Sequence, residues 1–293
     1  MFSMELIPVG ARTYYIKNAV NIGVYKTDDA HVYLIDSGGD KDAGKKILKL
    51  LAAEGLQVQG IVNTHSNADH IGGNKLIQDR TDCTILADGM EKSFTEAPEL
   101  EPSFLYGGFP FRELRNKFLL AKPSAVKPAA GNLPQGLETF PLKGHFLDMI
   151  GVKTSDDVYF LADSLFSAET IEKYHLFFLY DVRAFLNTLD FLHTLRGKLY
   201  IPSHCAATED ITALTEVNRA KVEEIATSVC AACQTEKTFE EILAHIFEKY
   251  ALTMNPNQYV LIGSTVRSYL SYLYDEDRIA YRFENNRMLW RQV

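Results

Sequence analysis

The sequence predicts an α/β layered domain followed by a mostly helical C-terminal module. Three observations carry this expectation. Short β-branched or aromatic runs alternate with helix-spaced apolar runs over the first part of the chain, which is a β-α-β succession. Four apolar runs each lead into a histidine or aspartate able to hold a metal. From about Leu214 the pattern changes to helical stretches and one final hairpin.

A chain of 293 residues, 46% hydrophobic and 23% charged, can bury a sizeable core in one large domain or in a medium and a small one. The net charge of -8 argues against broad affinity for nucleic acid or anionic membrane, since both need a basic face. Met1 to Pro8 hold no basic stretch followed by an apolar run, so no leader is expected. No apolar stretch approaches the roughly 20 residues of a membrane span. The four cysteines are scattered, unlike a secreted disulfide framework, and a cytoplasmic protein with reduced thiols is expected.

Taken in order, Tyr14–Ile16, Asn21–Tyr25 and His31–Ile35 read as strands separated by turn formers such as Thr27-Asp28-Asp29. After the loop Asp36-Ser37-Gly38-Gly39-Asp40, Lys45–Glu54 reads as a helix with Gly55 as its stop. Gly60–Thr64 is a short buried strand and runs directly into His65-Ser66-Asn67-Ala68-Asp69-His70. A helix is expected from Gly73-Asn74, then a strand at Cys83–Ala87. Residues 88–135 mix prolines, glycines, an acidic stretch (Glu91, Glu96, Glu99, Glu101), a basic one (Arg112 to Lys127) and interleaved aromatics. They read as a lid-like surface excursion, with the basic run a solvated face. Strands resume at Thr139–Leu142, Val158–Leu161 and Leu199–Ile201, with a helix over Val182–Leu195.

The residues that carry chemistry follow the strands: His65 after Ile61-Val62, His145 after the strand preceding Gly144, Asp163 after Val158–Leu161, His204 after Leu199–Ile201. Strand ends on one edge of a layered domain converge, and rigid strands place side chains accurately. Zinc favours imidazole nitrogen and carboxylate oxygen with one position left open for water, whose pKa falls to about 7.

In this set and order the sequence resembles the metallo-β-lactamase superfamily, with its four-layer αβ/βα sandwich and its His-x-His-x-Asp-His signature after a strand. The resemblance runs through Asp36, Thr64–His70, Gly72-Gly73-Asn74, Gly144-His145, Ala162–Phe166 and Pro202-Ser203-His204, and covers roughly residues 1–210. It implies a first metal site of His65, Asn67 and His145 and a second of Asp69, His70 and His204. Asp163 bridges the two, and Asp36 holds the ligand loops from behind. It also implies metal-bound hydroxide attacking an ester, thioester, lactone, amide or phosphoester of a small molecule, with Asp69 orienting the nucleophile.

Asn67 departs from the family pattern, which has histidine there. An amide oxygen is a poorer zinc ligand than imidazole and suits harder cations better. One tightly held zinc, or two zinc ions of unequal affinity, is therefore expected; iron or manganese would also suit the donor set. Lys173, Tyr174 and His175 are read either as substrate-pocket residues or as packing. Cys205 is read as a small buried residue ahead of a redox or ligand role, and Cys230-Ala231-Ala232-Cys233 as structural, since it has no partner pair.

Residues 1–213 are expected to form the catalytic domain and 214–293 a second module. In the latter, helices over Val217–Cys230, Phe239–Tyr250 and Thr265–Leu273 precede a hairpin turning at Glu284–Arg287. This resembles the winged-helix module appended to some members of the superfamily, an endoribonuclease group among them. From residue 215 onward there are nine Lys or Arg against eleven Asp or Glu. The recognition helix would carry Arg267 alone and be followed by Asp275-Glu276-Asp277. A nucleic-acid reader should be basic there, so dimerisation or pocket closure is the favoured role, with a homodimer through this module as the assembly it would make. A nuclease, and a metal-binding protein with little catalytic activity, are the alternatives to a small-molecule hydrolase.

Overall fold

The computed structural model describes residues 4–293; Met1–Ser3, part of the segment read for a leader, lie outside the described residues. The chain begins with β1 (Leu6–Pro8), β2 (Thr13–Ile16), β3 (Ile22–Lys26) and β4 (His31–Ile35), followed by α1 (Lys41–Ala53), β5 (Gln57–Val62), α2 (Ala68–Ile71), α3 (Asn74–Thr81) and β6 (Thr84–Leu86). Next come α4 (Gly89–Glu96), α5 (Leu100–Tyr106), a 3-10 turn at Arg112–Leu114, β7 (Val126–Lys127), β8 (Leu137–Pro141), β9 (Ile150–Thr154) and β10 (Val158–Ala162). The rest is α6 (Ala168–Tyr174), α7 (Val182–Leu192), β11 (Leu199–Pro202), α8 (Thr212–Ala232), α9 (Phe239–Lys249), α10 (Pro256–Asp275), β12 (Ile279–Glu284) and β13 (Arg287–Gln292).

Strands β1 to β7 form one sheet in chain order, and β11-β10-β9-β8 form a second. Alternation along the strands sorts side chains into three apolar layers. Val32 and Leu34 of β4 join Ile47, Leu51 and Ile77 of α1 and α3 on the outer face of the first sheet. Ile35, Val62, Val152, Phe160 and Ile201 fill the space between the sheets. Tyr159, Leu161 and Tyr200 face Leu179, Phe185 and Leu189 on the outer face of the second. Helix, sheet, sheet, helix is the four-layer sandwich. Val222, Ile225, Val229, Ile262, Val266 and Leu270 of α8 and α10 belong to that last layer, so the C-terminal helices share its core.

Several elements extend beyond their sequence-based limits for local reasons. α1 starts at Lys41 because the Asp40 side chain caps it, accepting from the Asp42 and Ala43 amides at 3.0 and 2.9 Å. α10 starts at Pro256, well before Thr265, with Asn255 capping it and proline in its first turn. The segment 88–135 is built rather than loose. α4 and α5 turn Glu91, Phe94, Glu101 and Leu105 inward, while the cationic Arg112 and Lys117 remain exposed, paired with Glu113 and Asp40. The closing hairpin turns on Asn285 and Asn286, both with positive φ, as a two-residue connection requires.

The parallel strands β4, β5, β10 and β11 deliver their C-terminal ends to one edge of the sandwich. His145 reaches the same edge differently from the expectation: β8 stops at Pro141, and His145 sits on the loop before β9. Gly144 shapes that loop, with φ of 121° and no room for a Cβ, which would collide with the Phe185 backbone nitrogen.

Candidate metal centre

Four imidazoles converge on one carboxylate. Asp163 Oδ1 lies 3.2 Å from His70 Nε2; Asp163 Oδ2 lies 3.2 Å from His204 Nε2 and 3.6 Å from His145 Nε2. His65 lies beside His70 with ring centroids 4.0 Å apart and the planes tilted by 47°. His65, His145 and Asp163 bring three ligand atoms within 4.8 Å of one another, and so do Asp69, His70 and His204. The ligand set expected from the sequence is thus gathered at one place.

The far side of every ring is tied. His70 Nδ1 donates to Asp36 Oδ2 at 2.8 Å. The Thr64 hydroxyl donates to the same oxygen at 2.7 Å, so its own oxygen accepts from His65 Nδ1 at 3.0 Å. His145 Nδ1 donates to the Phe178 carbonyl at 2.9 Å, and His204 Nδ1 to the Ala19 carbonyl at 3.0 Å. A carbonyl or a carboxylate can only accept, so the Nδ1 proton is fixed in each case and Nε2 is left to face the cluster.

Electrostatics fit a cation at this place. His65 Nε2, His70 Nε2 and Asp163 Oδ1 are buried without a hydrogen-bond partner. Buried polar atoms normally have one, and a cation at this place would satisfy all three. Burial holds His65 well below the ordinary imidazole value and lowers His145 as well. At His204 burial also acts downward, but the Asp163 carboxylate outweighs it and the pKa is pushed up to about 9. At His70 burial is outweighed by Asp163, Asp36 and Asp69, and the ring is held well above its usual value. Asp163 in turn lies well below the carboxylate range, burial being overcome by His204 and His70. Imidazole nitrogens around a bridging carboxylate fit divalent cations such as zinc.

Asp69 is half exposed at the mouth, 3.6 Å from His204 Nε2. Lys173, Tyr174 and His175 line a cavity of about 730 Å³ that reaches His204. A second cavity of about 400 Å³ opens on Asn67, Asp69, His145 and Asp163. Phe178, Asn255, Gln258 and Leu261 border both, so the start of α10 forms a wall of the site. Cys205 turns its thiol to the Leu165 carbonyl at 3.3 Å, and burial pushes its pKa up to about 12, an inert thiol.

A family model described as "Metallo-beta-lactamase superfamily" matches residues 16–204, more than half of the chain and the whole ligand set. This chain belongs to the metallo-beta-lactamase superfamily. It is a hydrolase of that superfamily. The chain is similar to a beta-lactamase domain protein from Burkholderia ambifaria (TM-score 0.73, 13% identity, covering 99% of this chain and 94% of that one). It is similar also to a metallo-beta-lactamase family protein from Thermus thermophilus (TM-score 0.69, 18% identity, 99% of each chain). These likenesses show that the fold extends through the C-terminal helices. A hydroxyacylglutathione hydrolase from Rhodopseudomonas palustris (strain BisB18) is 32% identical over 137 residues, and that stretch is 45% of each chain. Among the described residues no helix is long and apolar enough to cross a membrane.

Sequence reasoning missed two buried glutamates beneath the metallo-beta-lactamase motif. Glu91 of α4 accepts from the Ser66 amide and hydroxyl at 2.9 and 2.6 Å and from the Asp148 amide at 2.8 Å. Glu101 of α5 accepts from Asn67 Nδ2 at 2.9 Å. Burial raises both carboxyls, Glu91 to about 7 and Glu101 well above its usual range. The available signal was that Glu91 shares a helical face with Phe94 and Thr95, an apolar rather than a solvated face.

Proposed function

We propose that the chain is a metal-dependent hydrolase of a small-molecule ester or thioester. Its first site is His65, Asn67 and His145, its second Asp69, His70 and His204, and Asp163 is shared. The observation that carries this reading is the convergence of the His70, His145 and His204 Nε2 atoms on Asp163, with His65 in the same donor group and every Nδ1 tied back. Divalent ions, zinc first, would supply there a water of lowered pKa and an electrophile for the scissile carbonyl. The similarity to the Rhodopseudomonas hydroxyacylglutathione hydrolase makes a thioester the first substrate class to test.

The chain's own residues do the rest. Asp36 and Thr64 hold His70 and His65 in the tautomer that turns Nε2 inward. Asp69, open to solvent on one side, is placed to accept a proton from a water beside His204. Phe94, Phe104 and Phe178 pack around Phe146, which lies against His65, and exclude water from behind the first site. The start of α10 closes the pocket, which favours a pocket-closing role for the C-terminal module over nucleic-acid reading.

His145 Nε2 and Asn67 Oδ1 face each other at 3.1 Å. The neutral ring carries its proton on Nδ1, so both facing atoms are acceptors, and a cation between them relieves the repulsion. An amide oxygen holds zinc less well than imidazole, so the two sites should differ in affinity. Zinc titration of the metal-free protein, run beside turnover on thioesters, oxygen esters, lactones, nitrocefin and phosphodiesters, tests both parts. Two unequal sites with thioester or ester turnover is the expected result. Two equally tight sites, or hydrolysis of phosphodiesters alone, would overturn it.

A further inference from the structure

We propose that Glu101 is a positioning residue that makes Asn67 a ligand, by holding its amide so that the oxygen and not the nitrogen faces the cluster. The inference rests on the metal-site reading above and adds to it the residue on which the first site depends.

The two ends of an asparagine amide are nearly the same in shape and opposite in chemistry. A half-turn about the terminal bond exchanges a lone-pair oxygen, which binds a cation, for an NH2, which repels one. The surroundings must therefore choose the orientation. Here Asn67 Nδ2 donates to Glu101 Oε1 at 2.9 Å, and Oδ1 is left 3.1 Å from His145 Nε2. The carboxyl comes from α5, part of the segment inserted between β6 and β7, and is only 4% exposed. Burying a carboxyl is costly unless its partners compensate. Among the described residues, the only hydrogen bond that the Glu101 side chain makes to another side chain is this one to Asn67. The Ala68 amide, at the start of α2, addresses the same carboxyl. Glu101 therefore acts on both the loop and the amide, and the test has to separate a brace from an orienting partner.

Aspartate at position 67 provides the separation, because its two oxygens are equivalent and need no orienting. Cobalt(II) chloride is titrated into metal-free wild type, Glu101→Ala, Glu101→Gln, Asn67→Asp and the double variant Asn67→Asp with Glu101→Ala. Visible absorption reads the two sites, and Asn67→Ala assigns the bands of the first. Glu101→Ala is expected to weaken the first site 10- to 100-fold, as loss of an orienting partner does, and leave the second unchanged. Glu101→Gln, which still offers an accepting oxygen, is expected to stay within about threefold of wild type. In the Asn67→Asp background, Glu101→Ala should bring no loss at the first site.

An equal loss at both sites in Glu101→Ala would mean a brace and overturn the proposal. So would no loss at either, a Glu101→Gln that behaves like the alanine variant, or an Asn67→Asp protein as sensitive to Glu101→Ala as wild type. Should the alanine variant fail to fold, Glu101→Met, which fills the same space without an accepting oxygen, is read in its place on the same criteria. A wild type that takes up no cobalt overturns the metal-site reading itself, an outcome distinct from two filled sites indifferent to residue 101.

Discussion

Asp36 Oδ2 lies 2.8 Å from His70 Nδ1, with both side chains sealed from solvent. The same carboxylate takes the Thr64 amide and hydroxyl, and it sits at φ of 64°, a left-handed backbone that asparagine also tolerates. Asp36→Asn should therefore preserve the backbone and change the chemistry. With the amide oxygen on the Thr64 N–H, the NH2 faces His70 Nδ1 and forces the ring proton onto Nε2. Zinc affinity at the second site is expected to fall about 10- to 100-fold. Competition with a chromogenic chelator measures the loss, and nitrogen-15 NMR of the imidazoles reads the tautomer. An unchanged tautomer would refute the assignment.

Glu91 makes stability depend on pH in an unusual direction. Its carboxyl titrates at about 7 in the fold against 4.5 as the reference. A raised acid stabilises the fold fully below the unfolded pKa, and that contribution disappears as pH rises through the folded value. The free energy of unfolding of wild type minus that of Glu91→Gln should thus fall by about 3 kcal/mol between pH 4.5 and 7.5, with no further change above. Urea titrations of both proteins across this range provide the check. A difference that rises with pH contradicts the burial argument.

Gly144→Ala should cost about 2–5 kcal/mol, combining backbone strain at positive φ with a Cβ driven against the Phe185 backbone. Because His145 is the next residue, the first metal site should weaken in the same variant. Denaturant unfolding with parallel metal titration tests both effects. A variant as stable as wild type would show that the loop before β9 can move away from α7.

Removing residues 214–293 should not leave a well-packed catalytic unit. The truncation uncovers Leu179, Phe185 and Leu189, which share a core with Val222, Ile225, Val266 and Leu270. Strong ANS binding and loss of a cooperative thermal transition are expected from the shortened chain. A soluble fragment with a sharp transition would argue for two independent cores.

Strands and ligands were legible because their signals are local. The expected strand His31–Ile35 and β4 coincide residue for residue, and the His/Asp series follows apolar runs visible in the sequence itself. Elements whose pattern is diluted were harder. β9 carries Gly151 and Lys153 among its five residues, the polar opening turn of α1 lies outside the apolar periodicity, and in α10 Gly263-Ser264 separates Val260-Leu261-Ile262 from the run that begins at Thr265. Their caps, Asp40 and Asn255, were the signal to weigh. Glu91 and Glu101 were hidden for another reason. An acidic stretch normally means solvent, and only tertiary packing shows that two of its members serve the loop that precedes them in the sequence.

The order of these parts along the chain has a consequence for maturation. Every residue of the two His/Asp groups has been synthesised by His204, whereas the wall over the pocket begins at Asn255. During synthesis all of these donors are therefore open to an ion before α10 can dock, even while the second sheet still lacks its helical cover. Loading a finished, metal-free molecule instead means passing that wall, so uptake after folding should be slower than uptake during it.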